Sequence, residues 1–324
     1  MRALALFSGG LDSMISVKLL TEQGIDVTAL FIDVGFGSSD DKSELLKTRA
    51  KMVGADFSII DAKEQFVQDI LFNPKYGYGK NFNPCIDCHA NMFRIALGLL
   101  DKYDAKFVIT GEVIGQRPMS QRSDAIKNVT RLAGDEKNLI LRPLSAKLME
   151  PTKPELEGWV DREKLLGISG RNRETQLQLA KEWGFEEFES PGGGCLLTEE
   201  AMAKKIKEHI KHDEFIVEDI DVLKVGRHLR LPNGAKLVIG RNKDDNEKIK
   251  KINNPKYLFA RALDVPSPLC LINNDANEGD KLLAAKLILT YTKAKEGKVL
   301  IGEETYEAEA FDSKDEAREY FVLK

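Results

Sequence analysis

Apolar and polar positions divide the first part of the chain into short apolar runs separated by amphipathic segments. The runs at 1–7, 26–33, 57–60, 106–110 and 139–141 predict strands, most of them buried on both faces. The spacing of apolar residues predicts helices over 14–20, 40–53, 62–72, 89–100 and 170–183. Strands that alternate with helices in this way predict a doubly wound parallel sheet, an α/β fold.

The pattern changes at about residue 219. Short alternating runs predict strands at 222–225, 227–231, 236–239 and 299–308, and helical spacing predicts helices at 244–252 and 278–292. Pro232-Asn233-Gly234 is a strong hairpin signal between two of these runs. We therefore predict an α/β domain over 1–200, a charged helical linker over 201–218 and a second, smaller α+β domain over 219–324.

Composition fits two ordinary globular domains. The chain has 324 residues, of which 42% are hydrophobic and 31% charged. A net charge of −4 neither indicates nor excludes a nucleic-acid partner, because local patches decide such binding. No apolar stretch approaches the ~20 residues that span a bilayer, and the first residues lack a secretory pattern. We expect a cytoplasmic protein with no membrane partner.

The first predicted strand leads into the stretch Leu6-Phe7-Ser8-Gly9-Gly10-Leu11-Asp12-Ser13. A strand, a glycine-rich turn and a helix start form an anion cradle, because backbone N–H groups and the helix dipole point into the turn. Asp12 adds an oxygen ligand suited to Mg²⁺. The stretch has neither the Gly-Lys-Ser/Thr of a Walker loop nor the glycine spacing of dinucleotide-binding turns. An ordinary strand-to-helix turn is the alternative.

Three of the four cysteines form a second candidate site. Cys85 and Cys88 are two residues apart, and Cys195 follows Gly192-Gly193-Gly194, a run that lets the backbone bring Cys195 close to the pair. We favour a 4Fe–4S cluster held by the three thiolates, which leaves one iron without a protein ligand. Structural zinc, completed by Asp87 or His89, is the alternative metal.

Other interpretations of the cysteines also stay open. Cys85-x-x-Cys88-His89 matches a c-type haem attachment sequence, which requires an exported protein. A thioredoxin-like redox pair is another hypothesis, although the pair follows a loop and not the first strand of a βαβ unit. The simplest interpretation is that the cysteines bind nothing.

Several motifs together resemble one enzyme group. Ser8 to Ser13 resembles the pyrophosphate loop (PP loop) of N-type ATP pyrophosphatases, and residues 1–200 as a whole resemble the tRNA 2-thiouridylases and 4-thiouridine synthetases. The motifs are Asn83-Pro84-Cys85-x-x-Cys88, Thr110-Gly111-Glu112, Gly115-Gln116, Ser120-Gln121, Leu141-Arg142-Pro143-Leu144 and Cys195. The resemblance implies an adenine nucleotide alpha hydrolase-like fold. It also implies a tRNA sulfurtransferase: ATP adenylates a uridine carbonyl oxygen, and a sulfur nucleophile then displaces AMP.

The same resemblance implies the partners and the site residues. ATP, Mg²⁺, tRNA and a sulfur donor, either sulfide or a desulfurase-derived persulfide, are expected. Leu30 and Phe31 end the second strand, where the family places adenine, although Phe31 fits a core position equally well. The predicted ATP-binding residues are Leu6, Phe7, Ser8, Gly9, Gly10, Leu11, Ser13, Leu30, Phe31 and Gly111. Asp12 and Glu112 are the catalytic candidates, and a structural role fits Glu112 equally well.

The cysteines also have counterparts in this group. In its cluster-free members, cysteines that match Cys88 and Cys195 attack and carry persulfide sulfur. The additional Cys85 is typical of members that hold a 4Fe–4S cluster. We therefore expect the three cysteines to converge at the mouth of the cleft that Gly9 and Gly10 floor.

The last third of the chain is unlike the β-barrel end of the 2-thiouridylases. Val225-Gly226-Arg227-His228 and Val238-Ile239-Gly240-Arg241-Asn242, with Asp245-Asn246-Glu247, resemble the RNA-binding region of NFACT-type proteins. Arg227, Arg230, Arg241, Lys243 and residues 248–256 would then line a phosphate-binding face. A solvated charged surface is the alternative. Two other functions stay open: a PP-loop ligase or thiolase for a small molecule, and an RNA-binding quality-control protein with a regulatory ATP site.

Overall fold

The computed structural model describes residues 1–37, 42–186, 188 and 194–323. These residues divide into two compact units, Met1–Thr198 and Glu199–Lys324. Gly192 and Gly193, predicted to let Cys195 approach the other cysteines, lie outside the described residues, as does Asp40 at the predicted start of the second helix.

The first unit is built on a five-stranded parallel sheet with the strand order β3-β2-β1-β4-β5. The strands are β1 (Arg2–Leu6), β2 (Asp26–Asp33), β3 (Asp56–Asp61), β4 (Phe107–Thr110) and β5 (Ile140–Leu141). The helices are α1 (Leu11–Thr21), α2 (Ser43–Met52), α3 (Lys63–Phe66, continued by a π-helical turn at Val67–Leu71), α4 (Cys85–Gly98), α5 (Ser123–Ala133), α6 (Lys153–Leu156) and α7 (Glu174–Glu182). The predicted doubly wound α/β fold is confirmed.

Helices cover both faces of this sheet, which explains why successive positions of the central strands are apolar and not only alternate ones. On β1, Ala3 and Ala5 pack into the core cluster that contains Met14 of α1. Leu4 points to the opposite face and packs with Phe93 of α4. One difference from the prediction is α5: no element is predicted between 111 and 138, yet that segment forms a strongly amphipathic helix.

The second unit is built on a six-stranded antiparallel sheet with the strand order β11-β10-β8-β9-β7-β6. The strands are β6 (Arg227–Arg230), β7 (Lys236–Ile239), β8 (Tyr257–Ala262), β9 (Cys270–Asn273), β10 (Glu296–Ile301) and β11 (Glu304–Glu309). The helices are α8 (Glu200–His209), α9 (Asp219–Lys224), α10 (Lys243–Lys250) and α11 (Glu278–Thr290). An α+β architecture is therefore present, as predicted.

Two strand predictions in this unit need correction. Residues 222–225 are predicted as a strand, but Val222 and Leu223 lie in α9, where both are buried. The run is too short for its period to separate a helix from a strand, and the buried carboxylate of Asp219, which accepts a 2.9 Å hydrogen bond from the Ile216 amide, lies at the helix start. The single strand predicted at 299–308 is a hairpin that turns at Gly302, where φ is +60°.

No helix within the described ranges is long and apolar enough to cross a membrane.

Candidate active site

The conformation of the turn between β1 and α1 depends on its two glycines. Gly9 has φ +72°, and a Cβ at this position would collide with the Leu46 side chain of α2. Its carbonyl oxygen accepts a 3.0 Å hydrogen bond from Nη1 of the buried Arg49. Gly10 is the N-cap of α1, and its carbonyl accepts a 2.8 Å hydrogen bond from Ser13 Oγ. Because first-turn amides have no partner within a helix, the N–H groups of α1 are oriented to receive an anion.

The carboxyl end of β4 lies directly against this turn. A Cβ on Gly111 would lie 2.6 Å from both the Asp12 carbonyl carbon and the Ser13 amide nitrogen. Ser16 Oγ donates a 3.2 Å hydrogen bond to the Thr110 carbonyl. Glycine is therefore required where β4 meets α1, and the two predicted site segments are in contact.

The Asp12 carboxylate is surrounded by polar groups from later in the chain. Oδ2 accepts a 2.6 Å hydrogen bond from Gln116 Nε2, and Gln116 Oε1 accepts one of 3.3 Å from the fully buried Gln176 of α7. Arg173 Nη2 lies 3.9 Å from Asp12 Oδ1. Oδ1 itself is buried and has no hydrogen bond. A carboxylate oxygen without a hydrogen bond beside an anion cradle fits a Mg²⁺ ligand.

Gln116, Arg173 and Gln176 are absent from the predicted site residues. Gln116 belongs to a quoted motif, but its partner Asp12 is 104 positions away in the chain. Arg173 and Gln176 come into the site because α7 packs against α1. The polar character of the α7 start is the one sequence signal for them.

The apolar members of the predicted ATP site belong mostly to the core. Phe7, Leu11 and Leu30 are buried, and the Phe7 amide donates a 2.9 Å hydrogen bond to the Leu30 carbonyl. Leu6 and Phe31 are half-buried, and Ser8 is exposed at the turn. The structure thus brings the ends of β1 and β2 together, with Ser8 and Phe31 as the more accessible side chains.

Glu112 lies in a buried polar network just after β4. Its Oε1 is 2.9 Å from His89 Nδ1, and its Oε2 accepts a 2.9 Å hydrogen bond from Arg142 Nε. Burial alone would raise the pKa of Glu112, but the Arg142 charge and the His89 contact outweigh it, and the pKa is lowered. The Arg142 guanidinium also lies 5.5 Å from the centroid of the Phe93 ring. Both carboxylate oxygens are therefore engaged, one of them by the helix that carries two of the cysteines.

The structure places the three predicted cysteines in one electrostatic neighbourhood. Cys85 is the first residue of α4, and Cys88 follows one turn later. Burial, then the charges of Cys195 and Cys85, raise the pKa of Cys88 well above its usual range. Burial also raises the pKa of Cys195. A hydrogen bond from the Leu197 amide lowers this pKa in part, and the Cys85 charge raises it further.

The three thiols influence one another electrostatically, but they are not arranged as a metal-binding site. Among the residues that the structure describes, no group of three or more His, Cys, Asp or Glu side chains is arranged to hold a metal ion. Asp87 is occupied by the backbone amides of Lys75 and Tyr76, at 2.7 and 3.0 Å. His89 is occupied by Glu112. The two side chains proposed as a fourth zinc ligand therefore have other partners, and Cys85 Sγ itself accepts a 3.1 Å hydrogen bond from Asn83 Nδ2.

Two links connect the cysteines with the turn between β1 and α1, which is called the phosphate turn below. His89 follows Cys88 and contacts Glu112, which follows Gly111. The other link runs through Gln116, which bonds Asp12, and the next residue, Arg117. The Arg117 charge lowers the pKa of the Cys195 thiol, although burial raises it.

The first unit combines a parallel sheet with a Ser-Gly-Gly-x-Asp-Ser turn after its first strand. Comparison with known families agrees: residues 2–77 match the arginosuccinate synthase N-terminal HUP domain, and residues 226–316 match the NFACT protein RNA binding domain. The predicted resemblance to the tRNA-thiolating group of PP-loop enzymes, with an NFACT-like second domain, is confirmed.

Individual relatives match parts of the chain. The tRNA-specific 2-thiouridylase MnmA of Petrotoga mobilis is 33% identical over 130 residues, covering 35% of this chain and 35% of that protein. The MnmA of Helicobacter hepaticus is 28% identical over 171 residues, covering 47% and 49%. The chain thus spans a third to a half of these relatives. A 4-thiouridine synthetase–RNA complex with bound ATP shares 18% identity, with a TM-score of 0.41 over 69% of this chain and 52% of the other.

Proposed function

We propose that this protein is an ATP-dependent tRNA sulfurtransferase that replaces a uridine carbonyl oxygen with sulfur. The observation that carries the proposal is the continuity of two sites. The phosphate turn around Asp12 contacts Gly111, and the next residue, Glu112, contacts His89 on the cysteine-bearing α4. Relatives that match parts of this chain are named as tRNA thiouridylases, and the second unit matches an RNA binding domain.

In this proposal the chain performs two displacements. The N–H groups of α1 receive the ATP phosphates, while Asp12 Oδ1 offers a ligand to Mg²⁺. The uridine carbonyl oxygen attacks the α-phosphorus, the bond to the β-phosphate oxygen breaks, and pyrophosphate leaves. A sulfide sulfur then attacks the activated carbon, and the C–O bond breaks as AMP leaves. With a persulfide donor, a second cysteine thiol must also attack the cysteine sulfur of the persulfide, so that the S–S bond to the transferred sulfur breaks and a disulfide forms. Adenylation is needed because the carbonyl oxygen is otherwise a poor leaving group.

Cys85, Cys88 and Cys195 would hold a 4Fe–4S cluster in this proposal. Cys85 and Cys88 lie one turn apart at the start of α4, and three cysteine thiolates are a ligand set that such a cluster accepts. When bound, such a cluster supplies an iron that has no protein ligand and can carry the sulfur to be transferred. Persulfide chemistry on Cys88 and Cys195, without a cluster, is the alternative for the same residues.

The first experiment tests substrate and reaction together. Mass spectrometry of tRNA nucleosides from a deletion strain should show the loss of one thiolated uridine, restored by the wild-type gene but not by Asp12→Ala. Purified protein should release AMP and pyrophosphate with that tRNA. Release of AMP with unchanged tRNA thionucleosides would indicate a small-molecule ligase. No AMP release with any RNA would indicate a regulatory ATP site. Either result would overturn the proposal.

The second experiment tests the cluster. Protein purified without air should be brown and should lose its visible absorbance on exposure to oxygen. Cys85→Ser, Cys88→Ser and Cys195→Ser should each be colourless. Cys270→Ser serves as the control, because Cys270 is buried in the second unit. A colourless wild-type preparation with stoichiometric zinc would exclude the cluster and leave the sulfurtransferase proposal standing.

A further inference from the structure

The second unit contains a cavity of about 670 Å³ beside the ends of β6, β7 and β8. Six basic side chains line it, whereas Glu247 is the one acidic residue in the lining. The basic residues are Arg227, Arg241, Lys243, Lys250, Arg261 and Lys314. This excess of positive charge distinguishes the cavity from the unit as a whole, where acidic and basic residues are mixed.

Part of this charge is neutralised within the cavity wall. Arg241 pairs with Asp245 through bonds of 2.6 and 3.0 Å, and Lys250 lies 2.7 Å from Glu247. Arg227, Arg261 and Lys314 have no such partner within the described part of the chain. These three side chains leave an uncompensated positive charge, which favours a bound anion.

Two of these cations contact the same aromatic ring. The Arg227 guanidinium lies 5.2 Å and the Lys314 ammonium 5.5 Å from the centroid of the Tyr291 ring. Cation–π attraction to this ring stabilises both charges in the cavity wall. Cationic side chains that line one cavity can donate charge-assisted hydrogen bonds to a phosphate group.

The remaining lining is apolar and shaped by a proline-rich loop. Ala262, Val265, Pro266, Pro268 and Leu269 contribute this surface. Ser267 Oγ accepts a 3.1 Å hydrogen bond from the Ala262 amide and donates one of 3.1 Å to the Pro268 carbonyl, which fixes the loop. At Gly240 a Cβ would lie 3.0 Å from the Leu269 carbonyl oxygen, so the wall tolerates no larger residue there. The cavity therefore combines a phosphate-binding cluster with a flat apolar surface.

We propose that this cavity binds one unpaired nucleotide of an RNA chain. The phosphate would lie at Arg227, Arg261 and Lys314, and the base would pack on the loop around Pro266 and Pro268. The volume lies within the range of small-ligand pockets, which cannot admit a duplex, whereas splayed-out bases of single strands are the usual targets of RNA-binding pockets. The inference rests on the RNA-binding part of the proposed function and specifies what the second unit recognises.

The experiment measures binding of the full chain to fluorescent RNA by anisotropy, using a short single strand and a duplex of the same sequence. The wild type should prefer the single strand. Arg261→Gln and Lys314→Ala should each weaken that binding about tenfold and lower the slope of log affinity against log salt by about 0.7 per lost phosphate contact. Lys298→Ala is the matched control, because Lys298 lies on β10, outside the cavity, 3.6 Å from Glu307.

The result separates this inference from the sulfurtransferase proposal. Unchanged RNA affinity in Arg261→Gln and Lys314→Ala would overturn the cavity assignment. It would also be overturned if the wild type bound the duplex as tightly as the single strand and both variants lost affinity for the two RNAs equally. AMP release with tRNA, measured on the same preparations, reports the first unit. If AMP release is absent while the cavity variants lose RNA binding, the sulfurtransferase proposal fails and the cavity assignment stands.

Discussion

Gln116 Nε2 donates a 2.6 Å hydrogen bond to Oδ2 of Asp12, from the loop after β4 to the first turn of α1. This bond leaves Oδ1 as the carboxylate oxygen without a hydrogen bond, with Arg173 Nη2 3.9 Å away. The Gln116 bond therefore orients the carboxylate so that Oδ1 is the oxygen available to a metal ion.

Gln116→Ala should lower ATP turnover because Asp12 loses the group that orients it. Hydrogen bonds to charged groups contribute about 1.5–3 kcal/mol, which corresponds to a loss of about tenfold or more in the rate of AMP release. Gln116→Glu should be more harmful, since it places a second carboxylate beside Asp12.

Gln178→Ala provides the control for this loss. Gln178 lies on α7, where it bonds the nearby Glu182 at the surface, and its variant should keep the wild-type rate. If Gln116→Ala released AMP as fast as Gln178→Ala, the orienting role would be excluded.

Gly111→Ala should destabilise the first unit. The added methyl group would lie 2.6 Å from backbone atoms of Asp12 and Ser13, which cannot rotate away as a side chain can. Overpacking of this kind typically costs about 1–3 kcal/mol, and urea unfolding followed by tryptophan fluorescence would measure it. Both tryptophans, Trp159 and Trp183, lie in this unit.

Gly98→Ala is the matched substitution at a site with space. No atom lies within 4 Å of a Cβ built on Gly98, which ends α4. Its variant should be as stable as the wild type or gain about 0.4–1 kcal/mol. Equal stability of the two alanine variants would contradict the close contact at Gly111.

Glu112→Gln should reduce stability more than a surface change does. The amide cannot balance the charge of Arg142, and breaking a buried ion pair costs about 3–5 kcal/mol. Asp124→Asn is the control, because Arg122 and Asp124 form an exposed pair at 3.2 Å, and such pairs contribute about 1 kcal/mol or less. A Glu112→Gln protein that keeps full stability but loses AMP release would instead support proton transfer by Glu112.

Acid should weaken the second unit through Asp219. Burial would raise the pKa of this carboxyl, but hydrogen bonds from His209 and the Ile216 amide dominate and lower the pKa to about 2. A lowered pKa in the folded state stabilises the protein above the unfolded pKa of about 4, and this contribution is lost as pH falls towards 2. We expect a loss of about 2 kcal/mol over this interval.

Circular dichroism during urea unfolding, at pH 6 and pH 2, would measure this loss as the transition that tryptophan fluorescence does not follow. Asp219→Asn should reduce the difference between the two pH values. Asp221→Asn should preserve it, since Asp221 is 72% exposed on the same helix. An unchanged pH difference in Asp219→Asn would exclude Asp219 as its source.

The parallel sheet could be predicted because burial on both faces leaves a continuous apolar signature at residues such as Ala3, Leu4 and Ala5. The α9 helix could not, since the short run at Val222 and Leu223 fits either period. Its conformation depends on Asp219, whose partners His209 and Lys256 lie 10 and 37 positions away.

The site shows the same division. Glycine and cysteine positions carry local signals, so the phosphate turn and the thiol pair appear in the sequence as motifs. The partners of Asp12 and Glu112 do not, because Gln116, Gln176 and Arg142 reach them through the packing of separate elements. Motifs therefore locate this site, and tertiary packing decides which atom of each residue is available.

The contacts from Asp12 through Gly111 and Glu112 to His89 also have a thermodynamic consequence. A ligand that shifts α1 relative to β4 would change the free energy of states at α4, and such coupling is reciprocal. If bound ATP changes the equilibrium affinity of the cysteines for a ligand by some factor, occupancy of the cysteines by that ligand must change the affinity for ATP by the same factor. Nucleotide binding and sulfur loading would then both shift the same conformational equilibrium.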